Sequence, residues 1–297
     1  MTRPLVLGHR GASGYRPELT VGALRLAAEQ GADGIEVDVV PTRDGRLAVR
    51  HDANLGATTD VREALGRDAR TDELDWADVA RLRARERFPA LRPASAQHDR
   101  IEPVLALPDV VRLAEELDVL LVVEIKDAAA FAAEGLDPAP LVARDLTGAR
   151  CRIVLESFEK TPLDALAGLG HPLVYLMDDV GRAPDETRDY RDELADLASL
   201  ARFSGVSLPT TLITPERVAA LHAAGLEVWT WTLRPENAFL PPEHRIGSDA
   251  ATFGDWHRHW SALYSAGVDA VFADHPDIAL ALRSRLIPAP GGVRQQD

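Results

Sequence analysis

Short continuous apolar runs alternate along the chain with longer stretches in which apolar residues recur every three or four positions. The short runs predict strands over 5–9, 34–39, 119–125, 152–157, 173–177, 204–208, 227–232 and 269–273, and the longer stretches predict the helices between them. Strands apolar on both faces belong to a sheet covered on both sides, and helical crossovers make such a sheet parallel. About eight such units predict an α/β fold, the (β/α)8 TIM barrel. The first crossover shows the pattern in detail. Thr20 is placed to cap the helix, Val21, Leu24, Ala27 and Ala28 form its apolar face, and Gly31 stops it.

Two segments interrupt the rhythm. After the second strand, Arg43-Asp44-Gly45-Arg46 predicts a tight hairpin turn that folds Leu47-Ala48-Val49 back and brings His51 toward Glu36 and Asp38. Residues 54–101 are charged, Arg-rich and Pro-containing, and read as an insertion over the active face. Within and after it, helices are expected over 75–85 and 103–117. A second excursion, 234–255, follows the seventh strand. Residues 1–287 read as a single catalytic barrel domain with 54–101 as its insertion, and residues 288–297, rich in Pro, Gly and polar side chains, read as a disordered tail.

Composition narrows the function. A formal net charge of -14 over 297 residues argues against a nucleic-acid partner or an anionic membrane surface. Cys151 is the sole cysteine, which excludes an intrachain disulfide. Apolar runs such as 119–123 and 128–133 are far below the ~20 residues of a membrane span. With no apolar leader pattern at the N-terminus, a cytoplasmic location is expected. Nothing in the chain indicates an oligomeric state.

The predicted strand ends carry the candidate chemistry. Glu36 and Asp38 share one face of an otherwise apolar strand, where two unpartnered carboxylates are costly to bury, so they read as ligands of one hard cation. Glu124 ends another apolar run and is the third oxygen ligand, or the partner of Lys126. Lys126 is one of only two lysines, with Lys160, and reads as a compact charge for phosphate; Arg10 reads as a second phosphate group. His9 and His51 fall on the same rim and suit a general acid and base. Phe158 and Trp231 are candidates for an apolar wall or for barrel packing.

Gly8-His9-Arg10-Gly11, Pro17-Glu18-Leu19-Thr20, the run from Gly31 to Val39, Thr42-Arg43-Asp44-Gly45 and His51-Asp52 together resemble the N-terminal signature of the glycerophosphodiester phosphodiesterases. Glu124-Ile125-Lys126, Ser157-Phe158, the run from Trp229 to Thr232 and the run from Gly267 to Asp277 extend the likeness over nearly the whole barrel. The resemblance implies a TIM barrel with a small insertion after the second strand and one divalent cation, Ca²⁺ or Mg²⁺. It also implies metal ligands at Glu36, Asp38 and Glu124, an acid/base pair at His9 and His51, and phosphate contacts at Arg10 and Lys126. The implied reaction releases sn-glycerol 3-phosphate and an alcohol such as choline or ethanolamine from a small-molecule glycerophosphodiester. Leu19 departs from the family, which commonly has Asn there. The residues alone also allow a metal-dependent barrel lyase or aldolase, or a non-catalytic barrel that binds a phosphate ligand.

Overall fold

A computed structural model describes residues 3–287; the predicted tail at 288–297 lies outside them. Nine strands form one sheet: β1 (Leu5–Gly8), β2 (Gly34–Pro41), β3 (Leu47–Val49), β4 (Leu120–Ile125), β5 (Ile153–Ser157), β6 (Leu173–Leu176), β7 (Gly205–Pro209), β8 (Glu227–Leu233) and β9 (Ala270–Ala273). β1 pairs in parallel with both β2 and β9, so all the strands except β3 close into an eight-stranded parallel barrel. β3 lies antiparallel outside that ring, with Val39 opposite Val49 and Pro41 opposite Leu47. All eight predicted barrel strands, and the hairpin, are present.

The pleat explains why chemistry gathers at one rim. Inward-facing Leu7, Leu120, Val122, Val154, Val174, Trp229 and Phe272 fill the lower barrel with a dry apolar cluster. Two residues further along the same strands, on the same face, stand His9, Glu124, Glu156, Trp231 and Asp274. The outward positions, among them Val6, Ile35, Val37, Leu121, Val123 and Leu155, pack with the surrounding helices into the main core. The polar rim is therefore the C-terminal end of the barrel, set on a buried apolar floor.

Helix Val21–Glu29 starts where expected: the Thr20 side chain accepts a hydrogen bond from the Ala23 N–H at 3.2 Å. Gly31, at φ 90°, turns the chain out of it. Two helices are shorter than the pattern predicts. In place of 75–85 there is one turn, Trp76–Val79, because Arg83 and Ala84 are drawn into antiparallel bridges with Pro103 and Thr59. The same bridging, with Ala106 opposite Ala48, delays the 103–117 helix to Leu107–Leu117. The inserted segment has its own small core, in which Leu55, Val61, Leu74, Val79 and Leu82 pack against Val40 and Ala48. The 234–255 excursion holds one short 3-10 turn, Pro242–His244, and an antiparallel bridge between Glu236 and Phe253, before helix Trp256–Ala266, which carries His257 and His259.

Candidate active site

Glu36 and Asp38 occupy one face of β2, and in register Asp38 lies beside Glu124 of β4, which lies beside Glu156 of β5. Four carboxylates thus stand side by side on three neighbouring strands, each buried. Glu36, Glu124 and Glu156 offer oxygens that all lie within 4.8 Å of one another. Asp38 is turned toward cations instead, with Arg10 Nε at 3.2 Å and Lys126 Nζ at 4.0 Å. Glu156 was not singled out by the sequence pattern. The signal was present, because it interrupts the apolar strand Ile153-Val154-Leu155 as Glu124 interrupts its own.

Electrostatics separates these acids. Burial, reinforced by Asp38 and Glu156, pushes the Glu36 carboxyl well above the usual range. Burial, with Glu124 and Asp38 as neighbours, does the same to Glu156. Glu124 rises to about 7 through burial, although the Lys126 ammonium 2.7 Å away opposes it. Asp38 resists its burial and is held down at about 2 by Arg10, His51 and Lys126. Glu36 Oε1, both Asp38 oxygens and Glu156 Oε2 are buried without a hydrogen-bond partner. Buried oxygens in that state are expensive unless protons or a cation neutralise them. A hard, oxygen-seeking divalent cation suits this donor set.

Arg10 is shaped by its backbone as well as its charge. At φ 58° it turns its own N–H onto Glu36 Oε2 at 2.8 Å, while its guanidinium reaches Glu18 at 3.1 Å. Burial alone would lower its pKa, but Glu18, Asp38 and Glu36 more than offset this and keep it charged. Gly11 completes the turn at φ 84°, where an added Cβ would lie 2.5 Å from the Ala23 backbone. Leu19 also sits at φ 58°, with its N–H on the Arg10 carbonyl at 3.0 Å. A buried leucine thus takes a left-handed geometry that Asn tolerates more readily, at a cost of about 1–2 kcal/mol.

The two histidines are held alike. His9 Nδ1 lies 2.6 Å from Asp274 Oδ1, and His51 Nδ1 lies 2.6 Å from Asp52 Oδ1. In each ring the aspartate takes Nδ1 and leaves Nε2 free of it. Burial, aided by Arg10, lowers His9 to about 4 despite Asp274. Burial also lowers His51, against the pull of Asp38. Asp274, not assigned a role from sequence, accepts further from Arg234 Nε at 2.8 Å.

These groups line one cavity of about 390 Å³, which includes His9, Arg10, Glu36, His51, Glu124, Lys126 and Glu156. The lining also includes an apolar patch, with Phe158 and Trp231 meeting edge to face at 5.7 Å, Leu176 and Phe239 in the same wall, and the Phe158 ring 5.3 Å from Lys126 Nζ. Of the residues singled out from sequence, only Asp38 does not line this cavity; it sits behind Arg10 and Lys126. Among the described residues, no helix is long and apolar enough to cross a membrane.

A model of the glycerophosphoryl diester phosphodiesterase family matches residues 9–278. A Mycobacterium tuberculosis protein named probable glycerophosphodiester phosphodiesterase 2 is 31% identical over 245 residues, 77% of this chain and 79% of its own. The glycerophosphodiester phosphodiesterase of Caldanaerobacter subterraneus is 26% identical over 94% of this chain and 98% of its own. In fold, the chain is similar to an Oleispira antarctica phosphodiesterase solved in complex with the product sn-glycerol-3-phosphate, with a TM-score of 0.70 and 22% identity over 94% of this chain and 96% of that one. It is also similar to a Silicibacter pomeroyi structure described as a putative glycerophosphoryl diester phosphodiesterase, with a TM-score of 0.76 and 23% identity over 95% and 94% of the two chains.

Proposed function

The chain belongs to the glycerophosphoryl diester phosphodiesterase family, and from that membership we propose that it hydrolyses glycerophosphodiesters to sn-glycerol 3-phosphate and an alcohol, with a divalent cation and a histidine pair. Residues 1–287 form the catalytic unit in this reading, with 54–101 folded over its active face. The observation that carries the proposal is the sharing of one cavity by three clustered carboxylates, two basic groups and two aspartate-bound imidazoles.

Asp38, a cation ligand on the sequence pattern, is engaged by Arg10 and Lys126, so Glu36, Glu124 and Glu156 would hold the cation, Ca²⁺ or Mg²⁺. When bound, it neutralises charge on the phosphoryl oxygens and acidifies a hydroxyl nearby. Arg10 and Lys126 hold phosphate oxygens: each is locked in place by a carboxylate yet keeps N–H donors to spare. One imidazole Nε2 takes the proton of the nucleophile, and the other delivers a proton to the departing alcohol. Asp52 and Asp274 fix the Nδ1–H tautomer that this exchange needs. Phe158 and Trp231 provide a dry surface for the carbon skeleton of the substrate.

A lyase or aldolase reading would draw on Lys126 as a neutral amine. Burial alone would favour that form, but Glu124 and Asp38 outweigh it and keep the ammonium charged. The deciding experiment is an enzyme-linked assay for glycerol 3-phosphate against glycerophosphodiesters with different alcohols, with and without chelator. Cation-dependent release is expected. Absence of release from every diester, with the cation present, would refute the proposal.

A further inference from the structure

Both aspartates that grip the histidines are themselves gripped from the inserted segment, by two arginines in one short turn. Arg87 Nη1 lies 2.7 Å from Asp52 Oδ2, while its Nε and Nη2 donate to Glu18 at 2.8 and 2.7 Å. Arg92 Nη2 donates to Asp274 Oδ2 at 2.7 Å, its Nε to Glu236 at 2.7 Å and its Nη1 to the Ser13 carbonyl at 3.1 Å. Every nitrogen of each guanidinium is therefore engaged, and the Arg92 side chain is only 4% exposed.

The turn that joins them is built to be stiff. The Phe88 carbonyl accepts from the N–H groups of both Leu91 and Arg92 at 2.9 Å. Buried Glu86 accepts from the Phe88 N–H at 2.8 Å and from Ser95 Oγ at 2.5 Å. The Arg92 guanidinium lies 5.6 Å from the Phe88 ring centre and 5.7 Å from that of Phe239, drawing cation–π attraction from two rings that themselves meet at 5.2 Å. One end of this strap holds the pair on the β3 side of the mouth, and the other holds the pair between β1 and β9.

We propose that Arg87 and Arg92 are positioning residues, through which the inserted segment fixes the orientation and tautomer of both histidines at once. Neither arginine lines the cavity. Each acts through an aspartate, since a carboxylate with one oxygen anchored can present the other to an imidazole in only one direction. Arg87 extends the same chain of contacts through Glu18 to Arg10, which links the strap to the phosphate corner as well. This inference rests on the reading of His9 and His51 as the acid/base pair.

The test uses the full-length enzyme carrying Arg87→Gln or Arg92→Gln, with Arg87→Lys and Arg92→Lys as milder versions should a glutamine variant fail to fold. Turnover and nitrogen NMR of the histidine side chains are measured, with His9→Ala and His51→Ala as references. We expect kcat to fall about 10- to 100-fold in each arginine variant. Arg92→Gln should leave KM and affinity for sn-glycerol 3-phosphate within about threefold. In the spectra, the Arg87 variants should disturb the His51 ring nitrogens and leave those of His9 unchanged, and the Arg92 variants the reverse. Folded variants with parental kcat, or with both rings disturbed alike, would overturn the positioning role. If His9→Ala and His51→Ala themselves retain parental turnover, the catalytic reading fails instead, and the spectra still report whether the strap orients the rings.

Discussion

The carboxylate corner makes the benefit of a bound cation depend on pH, with a size that can be worked out. Folding moves the Glu124 carboxyl from 4.5 to about 7, a difference worth about 3 kcal/mol. A carboxyl whose folded value lies above its unfolded one binds protons more tightly when folded. Its contribution to stability is intact below about 4.5 and is lost progressively as the pH climbs to about 7. His9 works in the opposite sense over much the same window. Its folded value of about 4 lies below 6.5, so the fold gains stability as the pH rises from the first to the second. Melting curves of the chelated protein alone would thus show two opposed trends. The difference between cation-loaded and chelated protein removes the histidine contribution and isolates the acids. That difference should grow between pH 5 and 7 by about 2 kcal/mol, or roughly 4–8 °C for a chain of this length. Glu36 and Glu156, whose carboxyls burial also raises, should act in the same direction as Glu124. The assay is thermal unfolding at pH 5, 6, 7 and 8 with saturating Mg²⁺ or Ca²⁺ or with chelator. An increment equal at pH 5 and pH 8, or one that shrinks, would refute the reasoning.

His9→Ala and His51→Ala should each lower kcat by at least ~10²-fold while binding the cation normally by calorimetry. Glu36→Gln and Glu156→Gln should each weaken cation affinity by about 10-fold or more, and unchanged affinity in Glu156→Gln would remove that residue from the site. Trp231→Ala should raise KM more than it lowers kcat in steady-state assays, as loss of a binding surface requires. Arg50 is fully buried and donates to the carbonyls of Val49, Thr58 and Glu18 at 2.9, 3.2 and 2.7 Å. Arg50→Met strands these acceptors and should cost at least about 3 kcal/mol in urea unfolding.

Local pattern was enough to place the strands and the rim, because an apolar run that ends in a charged residue reads the same in sequence and in a barrel. Glu36, Glu124, His9 and Lys126 were legible on that ground. The hairpin was legible because Asp44-Gly45 encodes its turn, and Gly45 indeed sits at φ 71°. What escaped depends on pairing between distant residues. Asp274 meets His9 across 265 positions, and Arg92 meets Asp274 across 182. No local periodicity encodes such contacts, and a guanidinium in an Arg-rich loop gives no sign of whether it faces water or a buried acid. The 75–85 helix failed for a related reason: bridges to Thr59 and Pro103 took backbone groups that a helix would have used.

Strand β3 adds nothing to closure of the cylinder, yet His51 stands only two residues beyond its end. Its register is set by a loop whose Thr42 carbonyl accepts from the Gly45 N–H at 2.9 Å. Side chains on a strand change faces at every step, so one residue gained or lost between Thr42 and Arg46 would send the imidazole to the far side. The eight staves would still meet, leaving a well-folded cask with its chemistry unhitched. On the proposed role of His51, the length of that loop is thus held by catalysis and not by architecture.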